Sequence, residues 1–128
     1  MVDAVTIHAP NTKTAPGVPS VLSNDLSLIP EAVTLAKSVQ VVILVLGTDL
    51  SAAAEGHDAV NITFSNGQLA LVAAITDAVA GPVIVVTLTA VPLDISPLLS
   101  NPKIGAILHA GQPSVTCLGV GDVLFGWL

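Results

Sequence analysis

Short apolar runs alternate along this chain with longer runs in which apolar residues recur at helical spacing. Three of the short runs are rich in Val and Ile: Val41–Leu46, Val83–Leu88 and Ile104–His109. Few polar positions interrupt them, which is typical of strands buried on both faces of a parallel sheet. A further short run, Asp3–Ala9, is also predicted to be a strand.

The longer runs predict helices between these strands. Pro30–Ser38 starts with Pro at a first-turn position and an acidic residue beside it, which suits a helix N-terminus. Gln68–Ala80 follows Ser65, so Ser and Gln stand three apart as in a capping box, and a Gly-Pro pair ends the run. Pro113–Phe125 is predicted to be the final helix.

This order of elements predicts an α/β three-layer sandwich. Strands that alternate with helices form right-handed parallel crossovers, which cover a sheet on both sides. We expect one flavodoxin-like domain over residues 1–128, with helices on both faces of a mostly parallel sheet of about four to five strands. Residues 1–28 are predicted to hold the first strand and an irregular loop rich in Pro, Thr, Ser and Asn.

Composition excludes several classes of function. The chain is 52% hydrophobic and 9% charged, with a formal net charge of −6 and no Arg, so nucleic acid is not an expected partner. The most suspect apolar stretch, Ala78–Leu93, is interrupted by Gly and Pro and is shorter than the roughly 20 residues of a membrane span. The start of the chain lacks the basic and apolar regions of a signal peptide. Cys117 is alone and is predicted to be a packed core thiol.

Candidate chemistry lies in the loops that follow the predicted strands. Parallel strands end at one edge of the sheet, where open α/β folds place their ligand crevice. We therefore expect His8 to approach the loops after the later strands. The candidate site residues in those loops are Asp49, Glu55, His57, Asp58, Asp94 and His109.

Several interpretations of these residues remain open. A metal site would need His and carboxylate ligands about 2.0–2.2 Å from one ion, which nothing in the spacing enforces. The residues also suit exposed loop positions, and Asp94 and Asp122 suit caps of helices or turns. The chain has neither a nucleophile-elbow motif nor a phosphate-binding loop. We expect no metal and no cofactor.

Several longer blocks carry a resemblance to a known family. LVLGTDLSAAAEGHDAVNITFSNGQLALVAAI, GPVIVVTLTAVPLDIS, NPKIGAILHAGQPS and GDVLFG occur in this order. Together they resemble the C-terminal α/β sandwich domain of glycoside hydrolase family 3, in the branch of β-xylosidases and β-glucosidases. The resemblance covers residues 29–126 and suggests a secreted protein. It implies a partner, an upstream (β/α) barrel that supplies an Asp nucleophile, while the sandwich lends an acid/base Glu from the loop after Val41–Leu46.

That loop departs from the family pattern. The family loop reads like S-x-E-A-E-G-x-D-R, and Ser51–Ala59 is the matching segment here. The first Glu falls on Ala53 and the final Arg on Ala59. Glu55 and Asp58 are retained, so Glu55 is the remaining catalytic candidate. The chain also stops soon after Phe125, where the family continues, and no barrel is present in it.

Three functional hypotheses follow. The first is a family-like sandwich domain that is inactive alone and presents the 47–58 loop to a saccharide. The second is a small binding or assembly protein, whose apolar edge strand and tail (Val123–Leu128) are covered by another copy or a partner. The third is a minimal β-glycosidase that uses Glu55. Aromatic residues are few, with Trp127 the only tryptophan and no Tyr, which counts against strong saccharide binding unless Trp127 is exposed.

Overall fold

A parallel sheet forms the centre of the structure. The computed structural model describes residues 1–114 and 116–127, and within these the sheet has three strands: β1 (Val42–Gly47), β2 (Val83–Leu88) and β3 (Ile104–Gly111). The strand order is β1-β2-β3, and both pairings are parallel. The α/β class and the parallel sheet are therefore confirmed. The sheet has fewer than the predicted four to five strands.

Five helices accompany the sheet in the described residues. They are α1 (Val2–Thr6), α2 (Ile29–Ala36), α3 (Asn66–Ala78), α4 (Ser96–Leu99) and α5 (Leu118–Phe125). The predicted helices over Pro30–Ser38 and Gln68–Ala80 are thus confirmed, with small shifts at their ends. The last helix begins later than predicted, and part of its predicted range, Val115, lies outside the described residues. None of these helices combines the length and the apolar character that crossing a membrane requires.

The predicted N-terminal strand is wrong, because this segment forms helix α1. Its two consecutive residues Ala4 and Val5 are both buried, at 1% and 8% exposure. Neighbouring residues of a strand would point to opposite faces of a sheet. The α1 backbone packs directly on α5, since a Cβ atom added at Gly121 would lie 2.2 Å from the Ala4 carbonyl oxygen. Tertiary packing therefore overrides the β-propensity of Val and Ile here.

Helices cover both faces of the sheet, as predicted. On one face, α2, α3 and α4 bury Leu44, Val83 and Val85. On the other face, α1 and α5 pack over Val86 and Leu108. Val85 and Val86 are adjacent in β2 and fully buried on opposite faces, which explains why the strand is apolar at successive positions.

Candidate functional site

The buried side chain of Gln68 fixes the carboxyl end of β1. Its Nε2 donates to the carbonyl oxygens of Gly47 (2.9 Å) and Val21 (2.8 Å), and its Oε1 accepts from the Gly47 N–H (2.9 Å). Ser65 Oγ accepts from the Gln68 N–H, so the predicted N-cap of α3 is present. The Gln68 side chain does not complete the capping box, because it serves the end of the strand instead. This end is therefore rigidly held where the β1–α3 loop, residues 48–65, begins.

Threonines join the ends of the three strands. Thr48 Oγ1 and Thr89 Oγ1 lie 2.6 Å apart. Thr87 Oγ1 lies 2.9 Å from Nδ1 of His109, which is exposed on β3. The backbone N–H of Thr48 donates to Leu88, immediately before Thr89. Sequence reasoning found His109 and missed these threonines, although each Thr lies at or near the end of an apolar run.

A cleft of about 360 Å³ opens beside the end of β1. Its walls include Gly47, Thr48 and Leu88 on the sheet side and residues 15–18 on the other. The irregular N-terminal loop is held close, since a Cβ atom at Gly17 would lie 2.2 Å from the Leu71 side chain. This loop therefore forms one wall of the cleft.

The acidic segment beyond the cleft forms an exposed turn. Ala54 and His57 exchange backbone hydrogen bonds of 2.9 Å in each direction. Gly56 has a positive φ of 75°, as the third residue of a type II turn requires. Glu55, His57 and Asp58 are all exposed. The turn thus presents these three candidates to solvent.

Two further carboxylates stabilise local turns. The hydroxyl and the backbone N–H of Ser51 both donate to Asp49, and these hydrogen bonds hold the pKa of Asp49 below its usual value. Hydrogen bonds from Ser96 likewise lower the pKa of Asp94, because they favour the charged form. The Asp94 N–H also donates to the Ile62 carbonyl oxygen at 2.7 Å, which links the loop after β2 to the β1–α3 loop. The turn-capping interpretation of Asp94 agrees with this geometry.

The prediction that His8 joins the strand-end loops is wrong. His8 Nε2 lies 3.0 Å from Oδ1 of Asp122 on α5, because the N-terminal segment is a helix docked on α5. Cys117 is a buried thiol, as expected, and Sγ lies 3.4 Å from the Ser114 carbonyl oxygen. It precedes α5 in a left-handed conformation rather than lying within a helix. Across residues 1–114 and 116–127, no three His, Cys, Asp or Glu side chains are grouped to hold a metal ion.

Comparison with known proteins decides the family. The sequence model of the glycosyl hydrolase family 3 C-terminal domain matches residues 3–127. The chain belongs to this family. The match begins well before residue 29, so the N-terminal helix and loop are part of the family domain.

Relatives and solved structures agree with this assignment. The chain is 30% identical over 125 residues to "Probable beta-D-xylosidase 7" of Arabidopsis thaliana, which covers 97% of this chain and 16% of that protein. It is 32% identical over 117 residues to "Beta-xylosidase/alpha-L-arabinofuranosidase 2" of Medicago sativa subsp. varia, covering 91% and 15%. The chain therefore spans about one sixth of the curated relatives it matches.

Solved structures of family 3 enzymes share the fold of this chain. A family 3 β-glucosidase of Bifidobacterium adolescentis superposes with a TM-score of 0.85 at 26% identity, covering 99% of this chain and 19% of that one. A family 3 exo-β-xylosidase in complex with a xylobiose aziridine probe gives a TM-score of 0.81 at 28% identity, covering 88% and 15%. The glycoside hydrolase family 3 C-terminal domain is thus present in both sequence and fold.

Proposed function

We propose that this family 3 domain presents the end of β1 and the β1–α3 loop to a saccharide and does not hydrolyse glycosides by itself. The observation that carries the proposal is the state of the loop carboxyl groups. Asp49 is held in its charged form by Ser51, Glu55 projects from an exposed turn, and Ala53 stands where the family resemblance implies the acid/base Glu.

The chemistry of glycoside hydrolysis supports the proposal that the domain alone does not hydrolyse glycosides. A retaining enzyme needs a nucleophile and a general acid whose carboxyl groups are about 5–5.5 Å apart. The general acid must have a raised pKa so that it carries a proton near neutral pH. The pKa values of Asp49 and Asp94 are lowered instead, so these two groups are poor proton donors. A barrel domain that supplies the nucleophile is the partner implied by the family resemblance.

The cleft beside β1 supports the proposal that the domain binds a saccharide. Hydroxyl groups both donate and accept hydrogen bonds, as sugar hydroxyls do, and Thr48 lines the cleft. The matched relatives carry names of β-xylosidases and an α-L-arabinofuranosidase. A neutral pentose or hexose unit is therefore the ligand class that we propose for this cleft.

Assays of aryl β-xyloside and aryl β-glucoside hydrolysis test the proposal that the domain alone is inactive. We expect the purified chain and its Glu55→Gln variant to give the same background rate. Turnover that disappears in Glu55→Gln would refute the proposed inactivity and support the hypothesis of a minimal β-glycosidase.

Amide NMR shifts during a xylobiose titration test the proposed saccharide binding in the cleft. We expect shifts at Thr48 and Gly56, and weaker binding in a Thr48→Val variant, which retains the side-chain shape and loses the hydroxyl. Lys103→Gln, in an exposed turn before β3, is the control and should bind like the parent chain. Unchanged Thr48 and Gly56 amides at saturating sugar would contradict the saccharide site.

A second candidate function is assembly through the free edge of β1. Val41 and Val45 are 61% and 44% exposed, and a largely apolar groove of about 700 Å³ runs beside the strand. Unpaired apolar edges favour pairing with another strand. Under this hypothesis the mass measured by sedimentation equilibrium rises with concentration, and Val45→Lys abolishes the rise. A constant monomer mass in the parent chain would exclude self-assembly.

A further inference from the structure

The tryptophan after α5 is held on a rigid backbone but its side chain is exposed. Trp127 is 73% exposed and is the only tryptophan in the chain. The backbone N–H of Trp127 donates to the Asp122 carbonyl oxygen at 2.9 Å, and the backbone N–H of Gly126 donates to the Val123 carbonyl oxygen. Gly126 has a positive φ of 72°, so the helix ends in a Schellman motif. The backbone that carries the indole is therefore held by hydrogen bonds, and the indole itself is exposed instead of being packed into the core.

Two further rings and one carboxylate lie beside this indole. The His8 ring stacks on Phe125 with centroids 5.0 Å apart, and it lies 5.9 Å from the Trp127 ring. His8 Nε2 also contacts Asp122 Oδ1 at 3.0 Å. The Asp122 side chain is 46% exposed and His8 only 12%. The carboxylate thus remains accessible while the histidine orients it.

We propose that these four residues, His8, Asp122, Phe125 and Trp127, form a second saccharide-binding surface, here named the aromatic platform. The apolar C–H face of a sugar ring would lie on the indole, which offers a large rigid contact area with a polar N–H at its edge. A carboxylate only accepts hydrogen bonds, so Asp122 would take hydrogen bonds from sugar hydroxyls. A few placed polar groups among aromatic side chains is the usual composition of a small-ligand site.

Charge disfavours anionic ligands at the platform. The chain has a net charge of −6 and only three Lys and Arg residues in total. Asp122 on the platform would repel a phosphate or uronic acid. The choice of a neutral saccharide over a cation rests on the proposed function of the domain.

The aromatic platform is separate from the cleft at the strand ends. None of the four platform residues lines the cleft beside the end of β1. Phe125 instead lines the groove that runs along β1 from Val41 to Val45. Binding at the platform and binding at the cleft can therefore be measured separately.

Intrinsic fluorescence tests the platform directly, because Trp127 is the sole tryptophan and the chain contains no tyrosine. We expect xylotetraose to shift and change the Trp127 emission saturably. Asp122→Asn should weaken this binding by about tenfold, a factor that corresponds to 1.4 kcal/mol. Asp77→Asn, the same substitution at an exposed position on α3, is the matched control and should leave the binding curve unchanged.

A Trp127→Ala variant has no tryptophan fluorescence, so its saccharide binding is followed by amide NMR. We expect shifts at His8 and Phe125 in the parent chain and none in Trp127→Ala. Trp127 emission that does not respond to xylotetraose would overturn the platform, whether or not Thr48 amides shift. Emission that changes with protein concentration alone would also overturn it, because another copy would then cover the indole. If Trp127 emission responds to the sugar and the Thr48 amide does not shift, only the proposed saccharide binding in the cleft is refuted.

Discussion

Replacement of Gln68 by Met should destabilise the domain strongly and loosen the end of β1. Met preserves the length of the side chain and removes its three hydrogen bonds to Gly47 and Val21. The Gln68 side chain is buried, with 3% exposure of the residue. The substitution therefore leaves the Gly47 N–H and carbonyl groups without their partner.

The magnitude follows from these two groups. A buried polar group that loses its partner costs about 1–3 kcal/mol, so the free energy of unfolding should fall by about 2–6 kcal/mol. For a domain of this size each kcal/mol lowers Tm by about 3–4 °C, which predicts a decrease of roughly 6–24 °C. Thermal unfolding followed by circular dichroism measures this change.

The matched control is Gln40→Met, the same substitution at an exposed position before β1. Surface substitutions usually change stability by less than about 0.5 kcal/mol, so its Tm should stay near that of the parent. Equal Tm values for the two variants would refute the inference that Gln68 holds the strand end. A lowered Tm with unchanged hydrogen exchange at Gly47 would show that Gln68 acts elsewhere.

Two further predictions concern a turn and a helix contact. Ser51→Ala should raise the pKa of Asp49 towards the ordinary 3.8, measured by carboxyl NMR titration. Because the folded pKa is lowered, this turn stabilises the fold above the unfolded pKa and loses that effect as pH falls through the folded value. An unmoved midpoint would exclude the Ser51 hydroxyl as the main cause of the lowered pKa. Gly121→Ala should displace α1, since the added Cβ would lie 2.2 Å from the Ala4 carbonyl oxygen. Faster amide exchange confined to α1 is expected, whereas unchanged exchange in α1 would contradict this packing.

The site residues illustrate how far local sequence reasoning reaches. Position relative to the strands predicted that the β1–α3 loop would carry Asp49 and Glu55, and it does. The lowered pKa of Asp49 depends on Ser51, whose side chain and backbone both donate hydrogen bonds to its carboxylate. Roles in binding or catalysis for Glu55, His57, Asp58, Asp94 and His109 stay predictions. Their hydrogen bonds and exposure depend on turn geometry and, for His109, on the pairing of β2 with β3, which residue types alone do not specify.

The apolar pattern by itself determined the three strands, the main helices and the α/β class. Buried strands must be apolar on both faces, and a helix must repeat its apolar positions every three to four residues. These requirements act locally, so they are visible in Val83–Leu88 and in the run that becomes α3. The ordered blocks of residues likewise determined the family.

Only the tertiary structure decided the N-terminal helix and the positions of His8 and Gln68. Asp3–Ala9 has a composition compatible with a strand, but its close contact with Gly121 and its burial against α5 favour a helix. That helix carries His8 to Asp122 on α5, instead of to the loops it was expected to join. Gln68 reads as a capping residue, yet its side chain binds Gly47, which lies 21 positions earlier. Such contacts depend on which elements become neighbours in space, and short-range spacing in the sequence does not encode that choice.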